Sequence, residues 1–286
     1  MCSLNEKAML VNLKVGTWAG YAYSKDATMD GFGSTDLGRA NKALLKHSNV
    51  FKKTKAAFNT VRSYVNENTL PWKDDGVRLL PSANYMDFVQ GLGDVKREAE
   101  TQLKVFMGEY TNEISNDKVR FENEALKSGK LCLFSFDDYP LDIQHKFYIE
   151  LGFEPIPSSS DFRVQISEDD KRALDAAVAK AQEDVTTHLI EEMAKPMRAL
   201  AEHLSRPVED VKRFHDSIVL NVSDQVERLQ KLNLNDDPTV NALLKEVRGA
   251  FSTLARQPEV LKDNQPVRDA ARVKLAEMMK NFGMGV

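Results

Sequence analysis

A mainly α fold, a long antiparallel helical hairpin or bundle carrying a small β element, is what three features of the sequence predict. Apolar residues recur at three- and four-residue steps over stretches far longer than an average helix. Strict alternation is confined to a few short runs. Gly, Pro and Asp-Gly punctuation falls between these blocks.

Met9, Val11, Leu13 and Val15 alternate with Leu10, Asn12, Lys14 and Gly16, which predicts a strand over 8–16. It runs into the aromatic segment Trp18-Ala19-Gly20-Tyr21. Residues 24–36 are rich in Gly, Ser, Thr and Asp and read as a loop. Two helices are expected next. The second is marked by Phe51, Thr54, Phe58, Val61 and Val65, one stripe of a helix. Pro71 ends that block, Asp75-Gly76 marks a turn, and Val77 to Leu80 suits a short strand.

Ser82 and Asn84 are N-cap candidates for the longest periodic stretch. Its stripe of Tyr85, Phe88, Leu92, Val95, Ala99, Leu103, Phe106, Tyr110 and Ile114 predicts a helix reaching about Ser128. Gly91 and Gly93 lie inside it at a cost of ~1 kcal/mol each, which points to a kink or a close approach.

Leu131 to Phe136 reads as an apolar strand, and Pro140 as the start of a short helix through Leu151. Phe162, Val164 and Ile166 alternate, predicting a strand over 161–166. Ser167 with Asp170 resembles a capping box with Asp in place of Glu. It opens a second long helix striped by Leu174, Val178, Ala181, Val185, Leu189, Met193, Met197, Leu200 and Leu204, with a kink expected at Pro196. Further helices are expected to about Leu232, from Asp237-Pro238, and from Asn264 and Pro266. The expected domains are a long-helix hairpin over 1–204, with the N-terminal strand and β insert, and a C-terminal helical bundle over 205–286 packed on it.

The 286 residues are 42% hydrophobic and 29% charged, an ordinary globular composition. A chain of this length buries roughly 75% of its unfolded surface without disulfide or metal. Cys2 and Cys132 make neither a disulfide framework nor a zinc quartet. Cys132, in Leu-Cys-Leu-Phe, reads as a buried small hydrophobe. Reduced thiols and the lack of a targeting segment or of a ~20-residue apolar run predict a cytoplasmic protein.

Catalytic signatures are not evident. Gly31-Phe32-Gly33 with Gly38 misses the dinucleotide spacing, and Gly91-Leu92-Gly93 sits inside a helical pattern. His47, His145, His188, His203 and His215 are scattered. Asp142 with His145, and His188 with Glu191 and Glu192, are pairs rather than ligand sets. No G-x-S-x-G elbow occurs. The doublets Asp74-Asp75, Asp137-Asp138, Asp169-Asp170 and Asp236-Asp237 fall at turns or helix starts, where capping explains them. No catalytic, cofactor-binding or metal residue is assigned; an enzyme would need a cleft that brings acidic residues together.

Charge distribution is more informative. The net charge is −4, yet residues 1–70 hold ten Lys and Arg against five Asp and Glu. Lys42, Lys46, Lys52, Lys53, Lys55 and Arg62 form a candidate face for phosphate or an acidic partner. The alternative is a solvated face balanced by acidic groups elsewhere. Trp18, Tyr21 and Tyr23 are a candidate partner patch, or else a strand end packed on the bundle.

The strand leading into Trp18-Ala19-Gly20-Tyr21, the long central helix, Tyr139-Pro140-Leu141, Lys146-Phe147 and Asp161-Phe162-Arg163-Val164 occur in an order with a known parallel. Over about residues 8–205 the chain resembles a family of uncharacterised phage and prophage proteins often encoded beside MoxR-type AAA+ ATPases. The resemblance implies a phage setting and an adaptor role, and carries no functional residue across. The expectation is a non-enzymatic, homo-oligomeric interaction protein needing no cofactor. The alternative is a single-stranded nucleic-acid binder using the basic face. An enzyme with an unrecognised acidic site comes third.

Overall fold

Apolar residues repeating at helical spacing dominate the chain, and the resulting structure is mainly helical with short strands. This computed structural model describes residues 4–72, 76–157, 167–206, 217–234, 236–256, 261 and 264–284. The expected strand at 161–166 lies outside the described residues. The chain divides into two units. Residues 1–12, 68–86 and 153–286 form a bundle unit, and residues 13–67 and 87–152 form an aromatic unit. The expected boundary at 204/205 does not separate them, because the helices on both sides of it share one core.

In the bundle unit, a one-turn helix α1 (Leu4–Lys7) leads into β1 (Ala8–Gly16), whose bounds match the alternating run. The first half of β1 pairs antiparallel with β5 (Arg78–Pro81), in the register Ala8↔Pro81 to Val11↔Arg78. Strand β5 also pairs with β4 (Leu70–Pro71), and with β6 (Tyr148–Pro155) the sheet order is β4-β5-β1-β6. Among the described residues the unit continues with α5 (Glu168–Ser205), α6 (Ser217–Leu232), α7 (Pro238–Arg256) and α8 (Gln265–Asn281). Ser167 caps α5 by accepting from the Asp170 N–H at 3.1 Å, and its hydroxyl donates back to the Asp170 carboxylate at 2.6 Å.

The α5 stripe is buried from Ala181 through Val185, Leu189, Met193, Met197 and Leu200 to Leu204. It meets Val219, Val222, Val226 and Leu229 of α6, Val240, Leu243 and Val247 of α7, and Leu275, Met278 and Met279 of α8. Each such side chain contributes roughly 1.5–3 kcal/mol on burial. Helix α5 continues through Pro196 to Ser205.

The aromatic unit is built from the second half of β1, β2 (Tyr21–Tyr23), α2 (Lys25–Phe32), β3 (Asn41–Ala43), α3 (Asn49–Asn68) and α4 (Tyr85–Ser128) from Asp87 onward. Helix α4 has 44 residues and is about 65 Å long at 1.5 Å per residue. It ends at the expected Ser128, with Gly129 in the left-handed region at φ 66° just beyond it. The α3 stripe is the expected one, with Phe51, Thr54, Phe58, Val61 and Val65 buried. Gly91 is the close approach: a Cβ there would run into the Tyr64 ring.

Four local expectations are overturned in this unit. Residues 24–36 are not a loop throughout: 25–32 form α2 and only 33–36 are bend and turn. Ser24 accepts from the Ala27 N–H at 3.2 Å, and Gly33, in the left-handed region at φ 73°, closes α2. The first of the two expected helices is absent, and β3 with a turn stands before α3. The run 131–136 forms no strand. Its Phe134 packs among Phe121, Phe136 and Tyr139, Leu131 and Phe136 are exposed, and Cys132 is exposed rather than buried. The segment after Pro140 is a short 3₁₀ turn over Ile143–Lys146 followed by β6, not a helix. Ile143 and Phe147 stand one helical turn apart and are both buried, but from Tyr148 onward the backbone is taken up by the sheet as β6, which ends the turn.

Candidate interaction surface

The floor of the surface is a chain of rings. Trp18 meets Phe51 with centroids 5.3 Å apart, Phe51 meets Phe106 at 5.4 Å, and Phe106 meets Phe147 at 5.9 Å. Phe58 joins at 5.3 Å from Phe147, and Trp18 reaches Tyr139 at 6.5 Å. Tilted and edge-on pairs like these add about 0.5–1.5 kcal/mol each beyond area burial. Gly20 lets the chain turn over this floor. Its φ is +75°, and a Cβ there would sit 2.8 Å from the Phe51 ring. Its carbonyl accepts from the Leu44 N–H at 2.8 Å, extending the β2–β3 ribbon, where Tyr21 faces Ala43 and Tyr23 faces Asn41.

Below the ribbon lies a buried polar hub. One Asp117 carboxylate oxygen accepts from the Leu45 N–H and from the Tyr139 hydroxyl, both at 2.7 Å. The other oxygen accepts from Arg120 Nε, while Arg120 Nη2 donates to the Ala43 carbonyl at 2.7 Å. The hub fixes the turn after β3, where Leu45 holds the left-handed φ of 51°. Burial pushes the Asp117 carboxyl up, but the hydrogen bonds from Arg120, Tyr139 and Leu45, with the Arg120 charge, hold it below its usual value. Burial and then Asp117 raise the Tyr139 phenol, and burial pushes Tyr110 up to about 12.

On this frame stand large apolar groups in water. Tyr21 is 62% exposed, Leu37 76% and Phe136 62%, and Met29, Phe32, Leu126 and Leu131 are exposed as well. Lys130 pairs with Asp30, which ties the end of α4 to α2, and Lys118 lies 5.9 Å from the Phe136 ring centroid. Phe32 covers Gly38, and the Arg39 guanidinium stacks 4.7 Å from the Tyr23 ring centroid. The support beneath is internally bonded: Thr28 donates to the Ser24 carbonyl at 2.7 Å and accepts from the Ala40 N–H at 2.9 Å.

The structure separates the candidate residues. Trp18 is buried, so the patch is carried by Tyr21 and Tyr23. Lys42 is bound inside the unit, donating to the Leu133 carbonyl at 2.8 Å and pairing with Asp138. Lys55 donates to the Ala19 carbonyl at 3.3 Å and lies over Phe51. Arg62 donates to Val15 O and to Asn59 Oδ1. Lys46, Lys52 and Lys53 remain exposed. The basic excess is balanced locally. Residues 13–67 carry nine basic and four acidic groups, residues 87–152 carry eight and thirteen, and the unit holds seventeen of each.

Sequence reasoning missed Asp117, Arg120 and Leu45. The one available signal was a charged residue close to the apolar stripe of α4. The bundle unit has its own polar cluster. Glu192 pairs with Lys195 and accepts from Arg228 at 2.8 Å, and its backbone carbonyl accepts from Gln225 at 3.2 Å. Burial lowers His188 beside it, against the opposing charge of Glu192. Among the described residues, no three His, Cys, Asp or Glu side chains gather as a metal set, and no helix is long and apolar enough to cross a membrane.

Compared with protein-family models, curated proteins and solved structures, the chain matches none.

Proposed function

We propose that this chain is a non-enzymatic interaction protein that binds a protein partner through the outer surface of its aromatic unit. The partner is a further copy of the chain or a larger machine such as an AAA+ ATPase, the setting that the phage-family resemblance implies, and the site of action is the host cytoplasm. One observation carries the reading. Tyr21, Phe32, Leu37, Leu131 and Phe136 are held exposed on a frame of internal hydrogen bonds and packed rings. A pre-organised apolar surface loses little conformational entropy on association.

The nucleic-acid alternative draws less support. Lys42, Lys55 and Arg62 are engaged within the fold, and the unit's charges balance. A phosphate-tracking surface needs several uncommitted cations and shows steep salt dependence.

The test is cross-linking mass spectrometry on the purified full chain, with sedimentation across a concentration series, beside Phe32→Ser and Phe136→Ser variants. Cross-links concentrated on residues 21–37 and 126–136, lost in the variants, support the reading. A concentration-independent monomer whose titration with a single-stranded oligonucleotide is salt-sensitive and Lys52-dependent would replace it with the alternative.

A further inference from the structure

Helix α4 carries a second exposed row, apart from the rings and loops of the aromatic surface. Ala99, Phe106, Asp117 and Phe121 bury one side of the helix. Val105, Asn112, Val119 and Leu126 recur at steps of seven and are exposed, Val119 to 54% and Leu126 to 82%. Seven-residue spacing is the seam of a coiled coil. The seam positions four residues before them, Thr101, Gly108, Ser115 and Glu122, are exposed too and, Glu122 apart, small. Thr101 and Ser115 donate their hydroxyls to the Arg97 and Thr111 carbonyls of their own helix, at 2.8 and 3.0 Å, so covering them strands no donor. Gly108 has open space where a Cβ would stand.

The order of large and small residues names the occupant. A parallel pair would set Gly108 on Gly108, leaving a void, and Glu122 on Glu122, bringing two carboxylates together. An antiparallel pair centred between Asn112 and Ser115 sets large on small throughout. Val119 meets Gly108 of the second copy, Leu126 meets Thr101, and Asn112 meets Ser115. Glu122 then lies beside Val105 and the Lys104 ammonium of the second copy, and the two-fold axis repeats each contact. The Lys118 partner that Glu122 has on its own helix is 3.9 Å away and exposed, a weak tie. We propose that a second copy of this chain covers the seam, forming an antiparallel two-fold dimer through α4.

Sedimentation velocity of the purified full chain across a concentration series tests this. The expected result is a reversible monomer–dimer equilibrium that weakens about ten-fold or more in Val119→Ser and in Lys104→Glu. Lys104→Glu/Glu122→Lys recovers most of the loss. Within one chain these two residues stand about 27 Å apart along α4 at 1.5 Å per residue, so recovery requires a second copy. The substituted positions are exposed, and the variants keep the parent helicity by circular dichroism. If Val119→Ser loses helicity, Val105→Ser takes its place. Phe32→Ser/Phe136→Ser keeps the α4 dimer, which separates failure here from failure of the aromatic-surface reading. A chain monomeric at every concentration, unchanged dimerisation in Val119→Ser, or a double charge swap no tighter than Lys104→Glu alone would overturn the proposal.

Discussion

Tyr139 donates its hydroxyl hydrogen to the same Asp117 oxygen that accepts the Leu45 N–H, each across 2.7 Å. One carboxylate therefore links α4, the turn after β3 and the segment beyond α4. It holds Leu45 in a backbone region that leucine rarely adopts. Asp117→Ala leaves the Arg120 charge and two donors unanswered, and should cost about 3–5 kcal/mol in urea unfolding. Tyr139→Phe leaves the carboxylate two partners and should cost about 1–1.5 kcal/mol.

Acid stability has two windows, a lower one from the Asp117 and Glu192 carboxyls, both held below their usual values, and an upper one from His188. The Asp117 carboxyl is lower in the fold than in the unfolded chain. Its contribution is full above the unfolded value near 3.8 and disappears as pH falls through the folded one. His188 is also lowered, chiefly by burial, so the unfolded chain takes up its proton first. Stability therefore declines as pH drops below the ordinary histidine value of 6.5. Melting temperature against pH should show two descents, with the upper one flattened in His188→Gln and the lower one in Asp117→Asn.

Glycines that look alike in sequence should respond with opposite sign. Gly20→Ala forces a Cβ into left-handed backbone against the Phe51 ring, and should destabilise by more than about 1–2 kcal/mol. Gly108, inside α4, has open space where a Cβ would go. Gly108→Ala should stabilise by about 0.5–1 kcal/mol. Chemical denaturation of the two variants checks both signs.

The lysines divide the same way. Lys42→Ala breaks an ion pair whose side chains are only 10% and 16% exposed, and should cost about 3 kcal/mol or more. Lys52→Glu and Lys53→Glu lie on solvent and should move stability by less than about 0.5 kcal/mol. Differential scanning calorimetry separates the structural cation from the surface ones.

Long periodic elements were legible because burial repeats along one face. Strand β1 and the stripes of α3 and α4, and of α5 from Ala181, follow directly from apolar spacing. Residues 24–32 were misread because Gly, Ser and Asp suggest a loop, whereas the Ser24 cap and the Thr28 bonds to Ser24 and Ala40 stabilise a short helix without an apolar stripe. Residues 131–136 were misread because apolar composition alone cannot show that Phe134 finds aromatic partners while Cys132 faces solvent. Of the surface, Tyr21 and Tyr23 were visible beforehand. Phe32, Leu37, Leu131 and Phe136 were not, since exposure of an apolar residue depends on distant contacts. The engagement of Lys42 with Leu133 and Asp138 is likewise a relation across about ninety residues that local spacing does not encode.

Native purification followed by mass spectrometry bears most directly on the idea that this protein acts by holding another protein on its aromatic unit. The tagged chain would be compared with a Phe32→Ser/Phe136→Ser variant of equal melting temperature. The account predicts a stoichiometric protein, a second copy or another chain, retained by the parent, cross-linked to residues 21–37 or 126–136, and lost from the variant. Recovery of the parent as a bare monomer, or with nucleic acid alone, would contradict it.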